Sequence, residues 1–180
     1  MSQLKVYPDS SEKPTQVDND YEAIAKTLSA AGMRFERWQA EAALTPDADQ
    51  DAVLNAYRKS VDRLMTERGY ITADVINMKP DHPDKRALRQ KFLSEHVHSD
   101  DEVRFFVQGK GLFCIHTQDK VFAMLCESGD LISVPANTPH WFDMGDTPDF
   151  TCIRLFNDPS GWVANYTGDD IAERYPRFGE

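Results

Sequence analysis

EHVHSDDEVRFFVQGKG, residues 95–111, reads as two short strands joined by a tight polar turn. His96 and His98 stand two apart in a strand-like run, and side chains on a strand alternate faces, so both imidazoles point the same way. Taken alone, such a pair is more often surface or satisfied core than a metal site. Ser99, Asp100 and Asp101 form a turn-prone trio, which lets Glu102 open the next strand and return a carboxylate to the same point. His140 follows about forty residues later, directly after the rigid turn Pro135-Ala136-Asn137-Thr138-Pro139. Three imidazoles and one carboxylate suit Fe, Ni, Co, Mn, Cu or Zn better than Ca or Mg, which take mostly oxygen ligands. Four protein ligands leave two positions on an octahedral metal for waters or one bidentate substrate.

Outward from this stretch, the runs GLFCIHT, KVFAMLC, LISVP, HWFDM and FTCIRLF continue the β pattern, separated by GKG, TQDK, ESGD, PANTP and GDTPD. No helix-length segment interrupts them, which argues against a parallel α/β sheet. Before residue 92 the pattern is helical. Tyr21, Ile24, Ala25 and Leu28 make one stripe over about residues 20–31, with Asp18 and Asn19 as capping candidates and Gly32 as the stop. A second helix is predicted from Thr45-Pro46 to Gly69, with Leu54, Tyr57, Val61, Leu64 and Met65 on its apolar face. MRFERWQ, between them, alternates like a strand. MSQLKVYPDSSEKP reads as a polar leader, and residues 79–91 as a polar loop followed by a short basic helix.

The whole chain has 180 residues, enough for one sizeable core. Its formal net charge is −10, so nucleic acid is not an expected partner, because affinity for phosphate backbones rests on Lys and Arg. No stretch approaches the roughly 20 apolar residues that span a bilayer, and no signal-peptide core opens the chain, so a cytoplasmic protein without membrane contact is expected. Cys114, Cys126 and Cys152 are widely spaced within apolar runs and are read as reduced core residues. No long heptad pattern is readable, which favours a monomer.

The spacing H-x-H-x3-E-x6-G from His96 to Gly109, followed by G-x5-P-x-N-x2-H from Gly129 to His140, resembles the paired motifs of the cupin superfamily. Asn137 stands where cupins usually have Gly, and Met144 where they often have Asn. Gln90 replaces the glycine often found six residues before the first His. The resemblance implies an α+β, mainly β fold: a cupin double-stranded β-helix, or jelly-roll barrel, with N-terminal helices packed outside. Residues 1–180 are then one cupin domain, with 1–91 mostly helical, 92–156 the metal-binding barrel core and 157–180 a C-terminal tail.

A narrower resemblance is to the acireductone dioxygenase family of methionine salvage. It is carried by residues 95–111, by GDLISVP (129–135) and HWF (140–142), and by IAKTLSAAGMRFERW (24–38), which lies outside the cupin core. The turn PANTPH is similar to a bacterial branch. This resemblance implies one Fe(II) or Ni(II) per chain, with Co or Mn as further options, held by His96, His98, Glu102 and His140. The implied reaction uses O2 on a small-molecule acireductone, 1,2-dihydroxy-3-keto-5-methylthiopentene. The Fe(II) form would give formate and 2-keto-4-methylthiobutyrate, and the Ni(II) form formate, carbon monoxide and 3-methylthiopropionate.

Arg104 shares strand parity with Glu102 and matches the family's E-x-R segment, so it is expected to stabilise enediolate charge; the plainer alternative is an ion pair with an acidic neighbour. Phe142 has the same relation to His140, and Phe92 to His96, so both are expected to wall the pocket, with core packing as their alternative. Arg154 alternates with Cys152 and Phe156 and is a further pocket candidate. His82 and His116 stay outside the site, and Trp38, Trp141 and Trp162 are read as packing. Two other functions remain open at this point: another metal cupin dioxygenase or isomerase, and a metal- or ligand-sensing cupin without turnover.

Overall fold

The computed structural model describes residues 1–180. In chain order the elements are β1 (Gln3–Pro8), β2 (Gln16–Asp18), α1 (Tyr21–Ala30), β3 (Arg34–Arg37), α2 (Gln50–Ala56), α3 (Arg58–Arg68), β4 (Thr72–Met78) and α4 (Lys85–Leu93). Then follow β5 (His96–Val97), β6 (Glu102–Gln108), β7 (Lys110–Thr117), β8 (Lys120–Glu127), β9 (Asp130–Val134), β10 (His140–Asp143), β11 (Phe150–Phe156) and β12 (Asn165–Tyr166). Single 3-10 turns occupy Pro159–Trp162 and Ile171–Arg174.

The strands form two antiparallel sheets, ordered β12-β5-β10-β7-β8-β1-β2 and β3-β9-β6-β11-β4. This is the expected mainly β jelly roll, and period-two alternation builds it. On β6, Glu102, Arg104 and Phe106 face the interior between the sheets, whereas Val103 and Phe105 face outward. Inside, Phe106 meets Phe113, Phe122, Phe142 and Phe150, with Leu4 and Val6 of β1 and Ile24 and Leu28 of α1. On the outer face of the five-stranded sheet, Val53, Leu54, Val61 and Leu64 from α2 and α3 cover Phe105, Leu131, Ile153 and Leu155. The three cysteines are buried and free, as read. Gly109, at φ +82°, has no room for a side chain: a Cβ would lie 2.1 Å from the carbonyl oxygen of Asp149. That is why this motif position requires glycine.

Several expectations need correction. The N-terminal part is not mostly helical: β1, β3 and β4 are strands of the two sheets, and β1 pairs with β8 throughout its length. Strand β1 escapes a hydropathy reading because only Leu4 and Val6 are apolar on its inward face, alternating with Gln3 and Lys5. The predicted helix from Thr45 is two helices. The first starts at the Asp49 cap, whose carboxylate accepts the Ala52 N–H at 2.8 Å, and the chain breaks at Tyr57 (φ −116°) before α3. Helix α1 is capped by Asp20 rather than Asp18 or Asn19. Residues 157–180, the C-terminal tail, are docked on the barrel: β12 pairs with β5, and Ile171, Ala172 and Tyr175 pack on Tyr7, Cys114 and Trp141. No helix is long and apolar enough to cross a membrane.

Candidate metal centre

Strands β5 and β10 place His96 and His140 directly opposite each other, and β6 begins with Glu102 on the facing sheet. The three imidazole rings sit 4.7, 4.9 and 5.1 Å apart, forming a near-equilateral triangle. One ligand atom from each of His96, His98, Glu102 and His140 falls in a group whose members all lie within 4.8 Å of one another. All four side chains are buried.

The backbone sets the tautomer of every ring. His96 Nδ1 donates to the Ser94 carbonyl at 2.7 Å, His98 Nδ1 to the Val163 carbonyl at 3.0 Å, and His140 Nδ1 to the Thr138 carbonyl at 2.8 Å. A carbonyl only accepts, so each Nδ1 carries the hydrogen and each neutral ring turns an Nε2 lone pair inward. His140 Nε2 is 2.9 Å from Glu102 Oε2. His98 Nε2 lies 2.9 Å from the same oxygen but outside hydrogen-bonding geometry. The Nε2 atoms of His96 and His98 are buried with no hydrogen-bond partner. Buried polar atoms are rarely left unsatisfied. Three imidazole nitrogens and one carboxylate gathered within 4.8 Å of one another are what a divalent transition metal requires, so the donor set fits such an ion.

The charges in the cluster follow from these contacts. Burial and the neighbouring His140 push the His96 imidazole down to about 4. Burial would raise the Glu102 carboxyl, but the Arg104 guanidinium and the contacts with His140 and His98 hold it well below the usual carboxylate range. For His140, burial opposes the charged form, yet the contact with Glu102 outweighs it and the net direction is up.

Arg104 makes the ion pair expected of its plainer reading. Its Nε donates to Glu102 Oε1 at 2.8 Å, an ion pair, and its guanidinium lies beside the donor cluster over the rings of Phe142 (5.4 Å) and Trp162 (5.3 Å). Phe142 is buried and packs on Phe113 at 4.6 Å. Phe92 lies on helix α4, so strand parity does not place it; its half-buried ring is nevertheless 5.8 Å from His96. Arg154 stands opposite Arg104 across the β6–β11 pair and is held by Asp74 at 2.5 and 2.8 Å, with its guanidinium 4.9 Å from the Trp162 ring. His116 pairs with Glu95 at 2.7 Å, outside the cluster, and His82 accepts the Asp84 N–H in its loop.

Trp162 was missed by sequence reasoning. Its ring stands 6.0 Å from His98 and its indole Nε1 is buried without a partner. The local signal was only the Asp158-Pro159 turn start; that this turn folds back over the barrel mouth depends on tertiary structure. Surface cavities of about 610 and 670 Å³ exist elsewhere, but none of the four donors lines them.

Residues 3–164 match the family described as ARD/ARD′. The chain is 60% identical over 179 residues to an acireductone dioxygenase of Pseudomonas fluorescens (strain Pf0-1), covering 99% of each protein. It is 57% identical over 180 residues to one of Alcanivorax borkumensis, covering 98% of each. Among solved structures it is similar to the acireductone dioxygenase from Bacillus anthracis with a cadmium ion in its active centre, at 31% identity and a TM-score of 0.80, over 92% of this chain and 98% of that one.

Proposed function

The chain belongs to the ARD/ARD′ family, and on that footing we propose that it is a metal-dependent dioxygenase that cleaves acireductone with O2. The observation that carries this reading is the set of inward Nε2 lone pairs, two of them buried without partners, around Glu102. His96, His98, Glu102 and His140 would hold one Fe(II) or Ni(II), which supplies Lewis-acid and dioxygen chemistry when bound. The backbone carbonyls of Ser94, Thr138 and Val163 keep the three rings in the ligating tautomer before any metal arrives.

Arg104, buried beside Glu102, offers positive charge where the enediolate of the substrate develops its negative charge, and low hydration makes that attraction strong. Phe142 and Phe92 line the apolar side of this space, and Trp162 closes it against water between Arg104 and Arg154. Arg154, opposite Arg104 and against the same Trp162 ring, is a further pocket residue in this reading. We place the protein in the cytoplasm as a monomer. The metal selects the products: 2-keto-4-methylthiobutyrate and formate with Fe(II), and 3-methylthiopropionate, formate and carbon monoxide with Ni(II).

The test is to strip the protein of metal, reconstitute it separately with Fe(II) and Ni(II), and follow acireductone absorbance under oxygen together with carbon monoxide release. Fast substrate loss with both metals, and carbon monoxide from the nickel sample alone, is the expected result. Rates equal to the enzyme-free control in both samples would overturn it and send the search to other cupin substrates.

A further inference from the structure

We infer that Asp101 is a positioning residue for the metal centre, its carboxylate tying the turn that presents His140 to the segment that presents His98 and Glu102. The inference rests on the reading of these residues as metal ligands. The donors come from separate segments, 96–98, 102 and 140, so the cluster closes only if the 99–101 turn and the 135–139 turn keep a fixed relation. Asp101 supplies that relation. Its Oδ1 accepts the Ala136 N–H at 2.9 Å, and its Oδ2 accepts the Tyr70 hydroxyl at 2.6 Å, with Arg68 Nη2 at 3.6 Å.

The 135–139 turn is then pinned again one residue later, where the Asn137 N–H donates to the His98 carbonyl at 2.8 Å. Asn137 takes the left-handed conformation, φ 59°, which directs the chain toward Thr138 and Pro139. The Thr138 carbonyl accepts His140 Nδ1 and so sets the angle of that ring. An unbroken path therefore runs from Tyr70 and Asp101 through the turn to the imidazole. Tyr70 is a firm anchor for it: the side chain is buried, and burial together with Asp101 pushes its phenol up to about 12, so it remains a hydrogen-bond donor. The neighbouring Asp100 has a different task, accepting the N–H groups of Asn157 and Asp158 and so holding the segment that carries Trp162.

A residue of merely structural value would lower thermal stability and leave the affinity of folded protein for metal alone. Groups that orient metal ligands typically change affinity by about 10- to 100-fold when removed. The experiment is a chelator-competition titration with Co(II), recording affinity and the visible Co(II) spectrum, with melting of the metal-free proteins measured alongside. Asp101→Ala is expected to weaken Co(II) binding by about 10- to 100-fold and to shift the spectrum. Asp101→Asn, which keeps an oxygen for the Ala136 N–H, is expected to recover most of the affinity. Co(II) affinity within twofold of the unmodified chain in folded Asp101→Ala would overturn the inference, as would an Asn variant no better than Ala. Should Asp101→Ala fail to fold, Tyr70→Phe removes only the hydroxyl and is expected to weaken binding severalfold; no change there overturns the inference too. His96→Ala, titrated in parallel, is expected to abolish tight binding, and its retention would overturn the metal-centre reading itself.

Discussion

At one end of the barrel interior Phe106, Phe113, Phe142 and Phe150 pack ring on ring, with Phe113 and Phe142 4.6 Å apart and Phe142 and Phe150 6.0 Å apart. At the other end His96, His98, His140 and Glu102 converge with their outer nitrogens bonded to backbone carbonyls. Strand β10 contributes to both, offering His140 to one and, two residues on, Phe142 to the other. The first end is held by burial, which is non-directional and sums over area. The second is held by directional bonds from turns, and every bond left unmade there has a local cost. Arg104 sits on the boundary, bonded to Glu102 and stacked over Phe142. Stability is thus concentrated at the aromatic end and chemistry at the imidazole end.

The largest effect on stability should come from breaking the aromatic end. Phe113→Ala removes a fully buried ring and is expected to cost about 3–5 kcal/mol in denaturant unfolding of the metal-free protein. Metal bound per folded molecule should stay unchanged. If metal affinity falls in parallel, the two ends are one cooperative unit and the comparison fails.

A smaller effect concerns Asp143, where β10 leaves the barrel. Its carboxylate accepts Arg89 Nε and Nη2 at 2.8 and 3.0 Å, the Gly145 N–H at 2.8 Å and the Phe178 N–H at 3.0 Å, joining α4 and the C-terminal residues to the barrel. Arg89 also pairs with Asp146. Burial would raise this carboxyl, but Arg89 and the two backbone donors prevail and hold it below the ordinary 3.8. A depressed carboxyl contributes stability that is complete above that ordinary value and is lost as pH falls through the lower folded value. Arg89→Lys loses the two-pronged contact and is expected to cost about 1.5–3 kcal/mol near neutral pH. The acid side of its stability profile should be flatter than that of the unmodified chain. Because α4 carries Phe92 beside His96, this variant should raise KM for acireductone more than it lowers kcat; equal changes in both would place the clamp in catalysis rather than in shaping the pocket.

Legibility in the sequence followed the same division. The donor cluster was readable because His96, His98, Glu102 and His140 fall in two short segments whose turns are local signals, although the strand itself covers only His96 and Val97. The inward alternation of Glu102, Arg104 and Phe106 was readable because strand parity is a local rule. Strand β1 was not, because its two inward apolar residues are too few to stand out in a polar segment and its pairing partner β8 lies more than a hundred residues away. The break at Tyr57 was hidden by an apolar face that continues across it. Asp101 looked like one more turn residue. Its bonds to Ala136 and Tyr70 span 35 and 31 residues, and nothing local announces them. Phe92 stands near His96 because helix α4 packs there, a tertiary contact that strand parity cannot signal.

The most direct test of the metal centre is X-ray absorption at the cobalt edge of protein loaded with one equivalent of Co(II), in which imidazole rings are counted by their multiple-scattering pattern. Three imidazoles with the remaining ligands oxygen is the result expected from His96, His98, His140 and Glu102. A count of one imidazole or none, or a sulfur ligand from Cys114, Cys126 or Cys152, would contradict it.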